Sequence, residues 1–265
     1  MSLDVLGRVL QGYGRLVVAF SGGVDSGLLA FVANQVLGAD RVVAVTAVSA
    51  SLAPGERDDC RRLAEAWELR WREVRTDELA RPDYVANDLD RCYHCKSELM
   101  DHLEAVAAAE GARIALGVNL DDLEDHRPGQ EAARERGAAF PLVDAGFTKA
   151  DVRAAAKDLG LDVWDKPAAA CLASRIPYGT PVTMGALGRV ARAEEALKQM
   201  GFRQLRVRHY GDLARIELPD ADLDGALRRR AEITRALKSA GYRFVTLDLD
   251  GFRSGSLNPQ PAENR

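Results

Sequence analysis

Short apolar runs alternate with longer amphipathic stretches through the first two-thirds of the chain. The runs Leu16–Phe20, Arg41–Val48, Leu69–Val74 and Ile114–Gly117 predict strands. The stretches Ser26–Leu37, Pro54–Trp67 and Cys92–Glu110 predict helices between them. Such alternation predicts an α/β fold: parallel βαβ units in a doubly wound, mostly parallel sheet. Ligands in open sheets of this kind sit beyond the carboxyl ends of the strands. Three segments, Ser21–Ser26, Thr46–Ser51 and Gly117–Gly129, follow strands and so belong to one rim. Thr148 and Asp151 predict a capping box for a helix ending near Leu159, before Gly160. The stretch Trp164–Pro181, with three prolines and a glycine, predicts an irregular connection and a boundary. Beyond it the order changes. Thr183 caps a helix to Met200, strands follow at Gln204–Arg208 and Ala214–Leu218, and one helix, Asp222–Ala240, leads to a strand at Phe244–Leu249. The expected organisation is a domain at 1–175, a smaller C-terminal α+β domain at 176–258, and a disordered tail at 259–265.

The first strand runs directly into Ser21-Gly22-Gly23-Val24-Asp25-Ser26, and a helix follows. Two glycines permit a left-handed turn and a close backbone approach to a ligand. A helix N-terminus presents unpaired N–H groups that suit phosphate. Asp25 would repel phosphate unless a cation stands between them, which implies Mg²⁺. No Gly-Lys-Ser/Thr is present, so the string is not a Walker motif. It resembles the pyrophosphate loop of N-type ATP pyrophosphatases. That resemblance implies ATP as substrate, with the backbone and side chains of Ser21, Gly22, Gly23, Val24, Asp25 and Ser26 around its phosphates. The alternative is an ordinary glycine turn.

Composition narrows the setting. The formal charge is −4, from 36 basic and 40 acidic residues, which gives no footprint for nonspecific nucleic-acid binding. No apolar stretch reaches membrane-spanning length and no secretory signal pattern opens the chain, so no membrane partner is expected and the expected location is cytoplasmic. The four cysteines, Cys60, Cys92, Cys95 and Cys171, are then poor candidates for structural disulfides.

Cys92-Tyr93-His94-Cys95 opens a predicted helix. Thiols at this spacing can share one metal centre, and a helix N-terminus favours thiolate. A metal or cluster site, a redox pair and two packed thiols all remain open on spacing alone. Cys171 lies in the irregular connection with Lys166 and Arg175 nearby, cations that could lower its thiol pKa, with a small buried residue as the alternative. Gly117–Gly129 concentrates Asn119, Asp121, Asp122 and Arg127, donors for Mg²⁺ and phosphate, with a solvated turn as the alternative. Arg206 and Arg208 alternate on one strand face and, with Glu195, could form an anion pocket; an exposed strand face is the alternative. Arg228-Arg229-Arg230 reads as surface charge.

Together, Ser21–Ser26, Asp90-Arg91-Cys92-Tyr93-His94-Cys95-Lys96, Gly117–Gly129, Trp164–Gly179 and Arg206-Val207-Arg208 resemble the LarE family of ATP-dependent sulfur transferases. The likeness extends over nearly the whole chain. It implies adenylation of the carboxylates of pyridinium-3,5-biscarboxylic acid mononucleotide and their conversion to thiocarboxylates for a nickel-pincer nucleotide. It implies Asp25, Cys171 and Arg175 as catalytic residues and Thr46, Asn119, Asp121 and Arg127 at the nucleotide. Glu195, Arg206 and Arg208 are implied at a substrate phosphate. In one branch of the family three cysteines hold a [4Fe–4S] cluster that delivers sulfide; Cys92, Cys95 and Cys171 match it. In the other, the cysteine matching Cys171 gives up its own sulfur and becomes dehydroalanine. The resemblance further implies a sulfide or other sulfur donor and a homo-oligomer, a hexamer. The rival reading is an ammonia-dependent, amide-forming ATP pyrophosphatase, in which the three cysteines have no joint role.

Overall fold

The computed structural model describes residues 2–123, 128–167 and 170–253. The chain divides into two compact units, 1–84 with 90–169, and 85–89 with 170–265.

In the first unit the chain runs α1 (Leu3–Gln11), β1 (Leu16–Ala19), α2 (Val24–Leu37), β2 (Val42–Val48), α3 (Pro54–Ala66) and β3 (Trp71–Arg75). The short α4 (Pro82–Ala86) precedes α5 (Arg91–Glu110), β4 (Arg113–Leu116), α6 (Pro128–Glu135), α7 (Pro141–Asp144) and α8 (Lys149–Asp158). The four strands form one all-parallel sheet in the order β3-β2-β1-β4. Near-continuous apolar strands with both faces covered are what a parallel sheet requires. Period-two alternation divides them: Leu16, Val18, Val42 and Ala44 face the layer of α1, α2, α3 and α8. Val17, Val43, Val45 and Leu116 face α5 and α6 through Met100, Leu103 and Ala133. Helix α2 is apolar on nearly all sides and correspondingly buried. From β1 the chain winds outward to β2 and β3, then returns to place β4 on the other side of β1. That reversal of direction creates the crevice where such sheets bind ligands. Helix α1, with Leu6 and Leu10 fully buried, is an element the strand-led reading did not anticipate.

The second unit contains α9 (Met184–Gln199), β5 (Arg206–Tyr210), β6 (Leu213–Glu217), α10 (Asp220–Arg228), α11 (Arg230–Ser239) and β7 (Phe244–Leu247). Strands β5 and β6 pair antiparallel, and β7 joins β6 in parallel. The core is Leu197, Val207, Ala214, Ile216 and Leu237. The single helix expected at 222–240 is two helices broken at Arg229. No Gly or Pro marks the break. Arg229 makes it by donating to the Met200 carbonyl at 2.6 Å and packing over the Phe202 ring, so it is more than surface charge. Residues 85–89 belong to this unit through Asn87, fully buried at φ +60°. Its amide donates to the carbonyls of Ile176, Pro177 and Thr180, and its own carbonyl accepts from the Gly179 amide. Asn is one of few side chains that tolerates this left-handed backbone.

Candidate active site

The Ser21–Ser26 loop is built at the end of β1. Gly22 takes φ +69°, and Gly23 caps α2 in extended geometry. Buried Ser26 ties the turn together: its Oγ accepts from the Ser21 amide at 3.2 Å, lies 3.0 Å from Ser21 Oγ and donates to the Gly23 carbonyl at 3.3 Å. Ser21 itself is an exposed residue. An ideal Cβ on Gly22 would lie 3.0 Å from Cys60 Sγ, and one on Gly117 would lie 2.6 Å from the Ser26 amide nitrogen. The loop and the first turn of α2 are thus seated directly on α3 and on the end of β4.

Asp25, in the first turn of α2, is held from two sides. Asn119 Nδ2 donates to Oδ1 at 3.0 Å, and the Lys149 ammonium bonds Oδ2. Asn119 is itself buried and locked in reciprocal bonds with Asp122. Its amide is therefore engaged in aiming Asp25. Asp121 accepts from the Lys149 amide at 2.9 Å, satisfying a free donor at the start of α8. Arg127 lies outside the described residues, as does the segment 259–265. Lys149 is the functional residue that motif reading missed. A lysine in a first helical turn opposes the helix dipole, and that mismatch signals an anionic neighbour.

Thr46, expected at the nucleotide, is buried, with its hydroxyl donating to the Phe20 carbonyl at 2.7 Å and accepting from Trp71 Nε1 at 2.9 Å. It braces the strand end beneath the loop. Cys60 is fully buried, and burial pushes its thiol pKa up to about 11, against the opposing pull of Thr46 and Lys166. It is a packing residue.

Cys92 and Cys95 occupy the first turn of α5, Cys92 exposed and Cys95 partly so. The Arg91 guanidinium lies 3.9 Å from Cys92 Sγ. Burial holds the Lys96 ammonium below the usual lysine range, with Cys95 and Cys92 pulling it back up. Gly129 lets α6 approach closely here; an ideal Cβ would lie 3.0 Å from the Cys92 carbonyl. Soft, accessible thiols beside cations suit an iron–sulfur cluster. Cys171 is exposed and belongs to the other compact unit. Among the described residues no three His, Cys, Asp or Glu side chains gather as a metal site. The pair on α5 supplies two soft thiol donors side by side.

Cys171 heads a short 3₁₀ turn, Leu172–Arg175. Its carbonyl accepts from the Ser174 hydroxyl at 2.8 Å and from Arg175 Nη1 at 3.3 Å. Arg175 also donates to the Ala170 carbonyl and forms a double bond-pair with Glu194, at 2.8 and 3.1 Å. The guanidinium is thus a clamp on the cysteine turn. Arg208 pairs twice with Glu217 at 2.9 Å and donates to the Ser174 carbonyl at 2.7 Å. Arg206 donates to the Arg253 carbonyl and stacks 4.5 Å over Phe252. Burial, then the charges of Arg208 and Arg175, hold its pKa below the arginine range. Three buried arginines thus stand against two buried glutamates, a surplus of positive charge suited to an anion. The exposed-face alternative for Arg206 and Arg208 is excluded, because both are buried. Glu195 is a correction. It is exposed and bonds only Gln199 among the described residues, whereas Glu194 takes Arg175 and the Val207 amide. One residue is 100° of helix, and α9 turns position 194 inward.

A parallel sheet whose central strand delivers Ser-Gly-Gly-Val-Asp-Ser onto a helix N-terminus defines a PP-loop ATP pyrophosphatase, a class that uses ATP with Mg²⁺. The NAD synthase family model matches residues 4–88. An uncharacterised protein of Synechocystis sp. is 47% identical over 92% of this chain and 92% of its own. The pyridinium-3,5-bisthiocarboxylic acid mononucleotide synthase of Lactiplantibacillus plantarum is 42% identical, over 92% of this chain and 89% of its own. An NH₃-dependent NAD⁺ synthetase of Methanococcoides burtonii is 38% identical over 24% of this chain and 25% of its own. The chain belongs to the LarE family of ATP-dependent sulfur transferases. No helix among the described residues is long and apolar enough to cross a membrane.

Proposed function

We propose that this enzyme makes pyridinium-3,5-bisthiocarboxylic acid mononucleotide from the corresponding biscarboxylic acid. The observation that carries it is the 42% identity to the named synthase over 92% of the chain. The match to the NAD⁺ synthetase spans only a quarter of the chain, and ammonia chemistry gives Cys171 no role.

A carboxylate resists nucleophiles because it is anionic and lacks a leaving group. A substrate carboxylate oxygen attacks the α-phosphorus of ATP, and the bond to pyrophosphate breaks. The N–H groups at the start of α2 and the Lys149 ammonium absorb the charge that builds on the leaving pyrophosphate. Asp25, aimed by Asn119, would hold Mg²⁺. Sulfur then attacks the acyl carbon and AMP leaves, so the thiocarboxylate replaces the carboxylate. Arg206, Arg208 and Arg175, balanced by Glu194 and Glu217, hold the substrate phosphate and the cysteine turn. Cys92, Cys95 and Cys171 would hold a [4Fe–4S] cluster, which when bound supplies the sulfide.

A second reading is favoured by Cys171 being the only cysteine of its compact unit. Its thiolate attacks the adenylate, AMP leaves, and elimination across Cα–Cβ releases the thiocarboxylate and leaves dehydroalanine. Anaerobic protein turned over with ATP, Mg²⁺ and the biscarboxylic mononucleotide separates the two. Iron and sulfide in cluster proportion with unchanged polypeptide mass supports relay through a cluster. Loss of the mass of H₂S at Cys171 from metal-free protein overturns it. The family resemblance supports a cytoplasmic homo-oligomer, a hexamer; light scattering reads the stoichiometry.

A further inference from the structure

Lys166 is absent from the chemistry above, yet its ammonium touches the nucleotide loop. It donates to the Gly22 carbonyl at 3.3 Å, to Glu56 Oε2 at 2.8 Å and to Asp59 Oδ2 at 2.8 Å. Those are the three donors an ammonium possesses. Burial pulls its pKa down, and the bonds and charges of Asp59 and Glu56 more than restore it, so it stays charged. The loop bearing Lys166 is fixed in turn. Arg153 of α8 donates to the carbonyls of Trp164 at 2.6 Å and of Lys166 at 3.2 Å. Helix α8 therefore reaches the pyrophosphate loop twice, through Lys149 at Asp25 and, by way of Arg153, through Lys166 at Gly22.

A trans peptide is planar, with its C=O and N–H on opposite sides. Gly22 sits in the left-handed region, where glycine has wide freedom, so nothing in its own covalent geometry sets the plane of the peptide that follows. We propose that Lys166 is a positioning residue that sets this plane: by holding the Gly22 carbonyl on the α3 side, it turns the Gly23 N–H to the opposite side, as a donor for a phosphate oxygen of ATP. The inference rests on reading Ser21–Ser26 as the phosphate loop. It distinguishes two effects of the lysine, orientation of a peptide and neutralisation of Glu56 and Asp59.

Calorimetric titration of the full chain with Mg-pyrophosphate and, separately, with AMP tests it, with thermal melts as a check on folding. Lys166→Met weakens Mg-pyrophosphate binding about ten- to hundredfold, the value of one bond to a charged acceptor, and leaves AMP binding unchanged. Lys166→Met combined with Glu56→Gln and Asp59→Asn removes the uncompensated acids, and it also serves if the single variant does not fold. This triple variant stays weak for Mg-pyrophosphate if orientation is what matters. Recovery of wild-type affinity in the triple variant, or equal loss of AMP and Mg-pyrophosphate binding, overturns the inference. Wild-type protein that binds neither ATP nor Mg-pyrophosphate overturns the phosphate-loop reading itself.

Discussion

Gly117 contributes by having no side chain. A Cβ there would lie 2.6 Å from the Ser26 nitrogen and 2.8 Å from the Asp25 carbonyl carbon, both backbone atoms that cannot swing aside. Gly117→Ala therefore pushes the first turn of α2 off the end of β4. A loss of about 1–3 kcal/mol, the usual cost of overpacking, is expected in urea unfolding, with a larger proportional fall in pyrophosphate release. Asn119 acts through Asp25. Asn119→Leu leaves Asp25 Oδ1 without its partner, so the Mg²⁺ concentration for half-maximal pyrophosphate release rises, by about tenfold for one lost hydrogen bond. An unchanged Mg²⁺ dependence would show that Asn119 does not aim Asp25. Much of this was legible at the level of residue type. Gly22, Gly23, Asp25 and Ser26 announce a phosphate loop because few other needs call for that string. At Thr46 the residue type says less, because a hydroxyl near a strand end looks the same whether it meets a ligand or, as here, a carbonyl. Glu195 was misjudged because two adjacent glutamates carry no mark of which faces inward.

The capping box of α8 has consequences beyond its own end. Thr148 accepts from the Asp151 amide, and Asp151 bonds back to the Thr148 amide at 3.0 Å. Thr148→Ala costs about 1 kcal/mol. Because α8 carries Lys149 and Arg153, the Michaelis constant for ATP rises as well, which steady-state assays at varied ATP will read. In the second unit, β5 and β6 share a buried ion pair. Arg208→Met takes two bonds from buried Glu217, leaving it to Arg215 at 3.0 Å, and costs about 3 kcal/mol in chemical unfolding, and adding Glu217→Gln recovers part of it. Elements were legible wherever period and punctuation agreed. The strand runs and the Thr148 box were read to within a residue or two. The break at Arg229 was not, since apolar period continues through it and only a tertiary contact, to Met200, ends the helix. Helix α1 was passed over because its amphipathic turn is short and precedes the first strand.

At the scale of the whole molecule, stability should respond to acid through a buried histidine on β5. His209 is buried against the Tyr242 hydroxyl at 3.1 Å. Burial, then the charge of Arg189, hold its pKa below 6.5, with Asp212 opposing. Above the unfolded value of about 6.5 both states are neutral and His209 is silent. Below it the unfolded chain takes the proton first, so stability falls as pH drops from that value toward the folded one. His209→Gln flattens this part of the profile in urea midpoints measured between about pH 7 and 5; an unaltered slope would assign it to other groups. The two compact units are threaded through one another in sequence, which a chain read in one direction does not reveal. Residues 85–89 leave the first unit, lodge Asn87 beneath the turn at 176–180, and return. The consequence is topological. A protease that nicks the chain between 169 and 170 cannot liberate two independent bodies, because the upstream fragment keeps a peg seated in the downstream one. Expressed separately, residues 170–265 lack that peg and leave the Ile176 and Thr180 carbonyls without the Asn87 amide, so co-expression of both fragments, rather than either alone, is the route to a folded product.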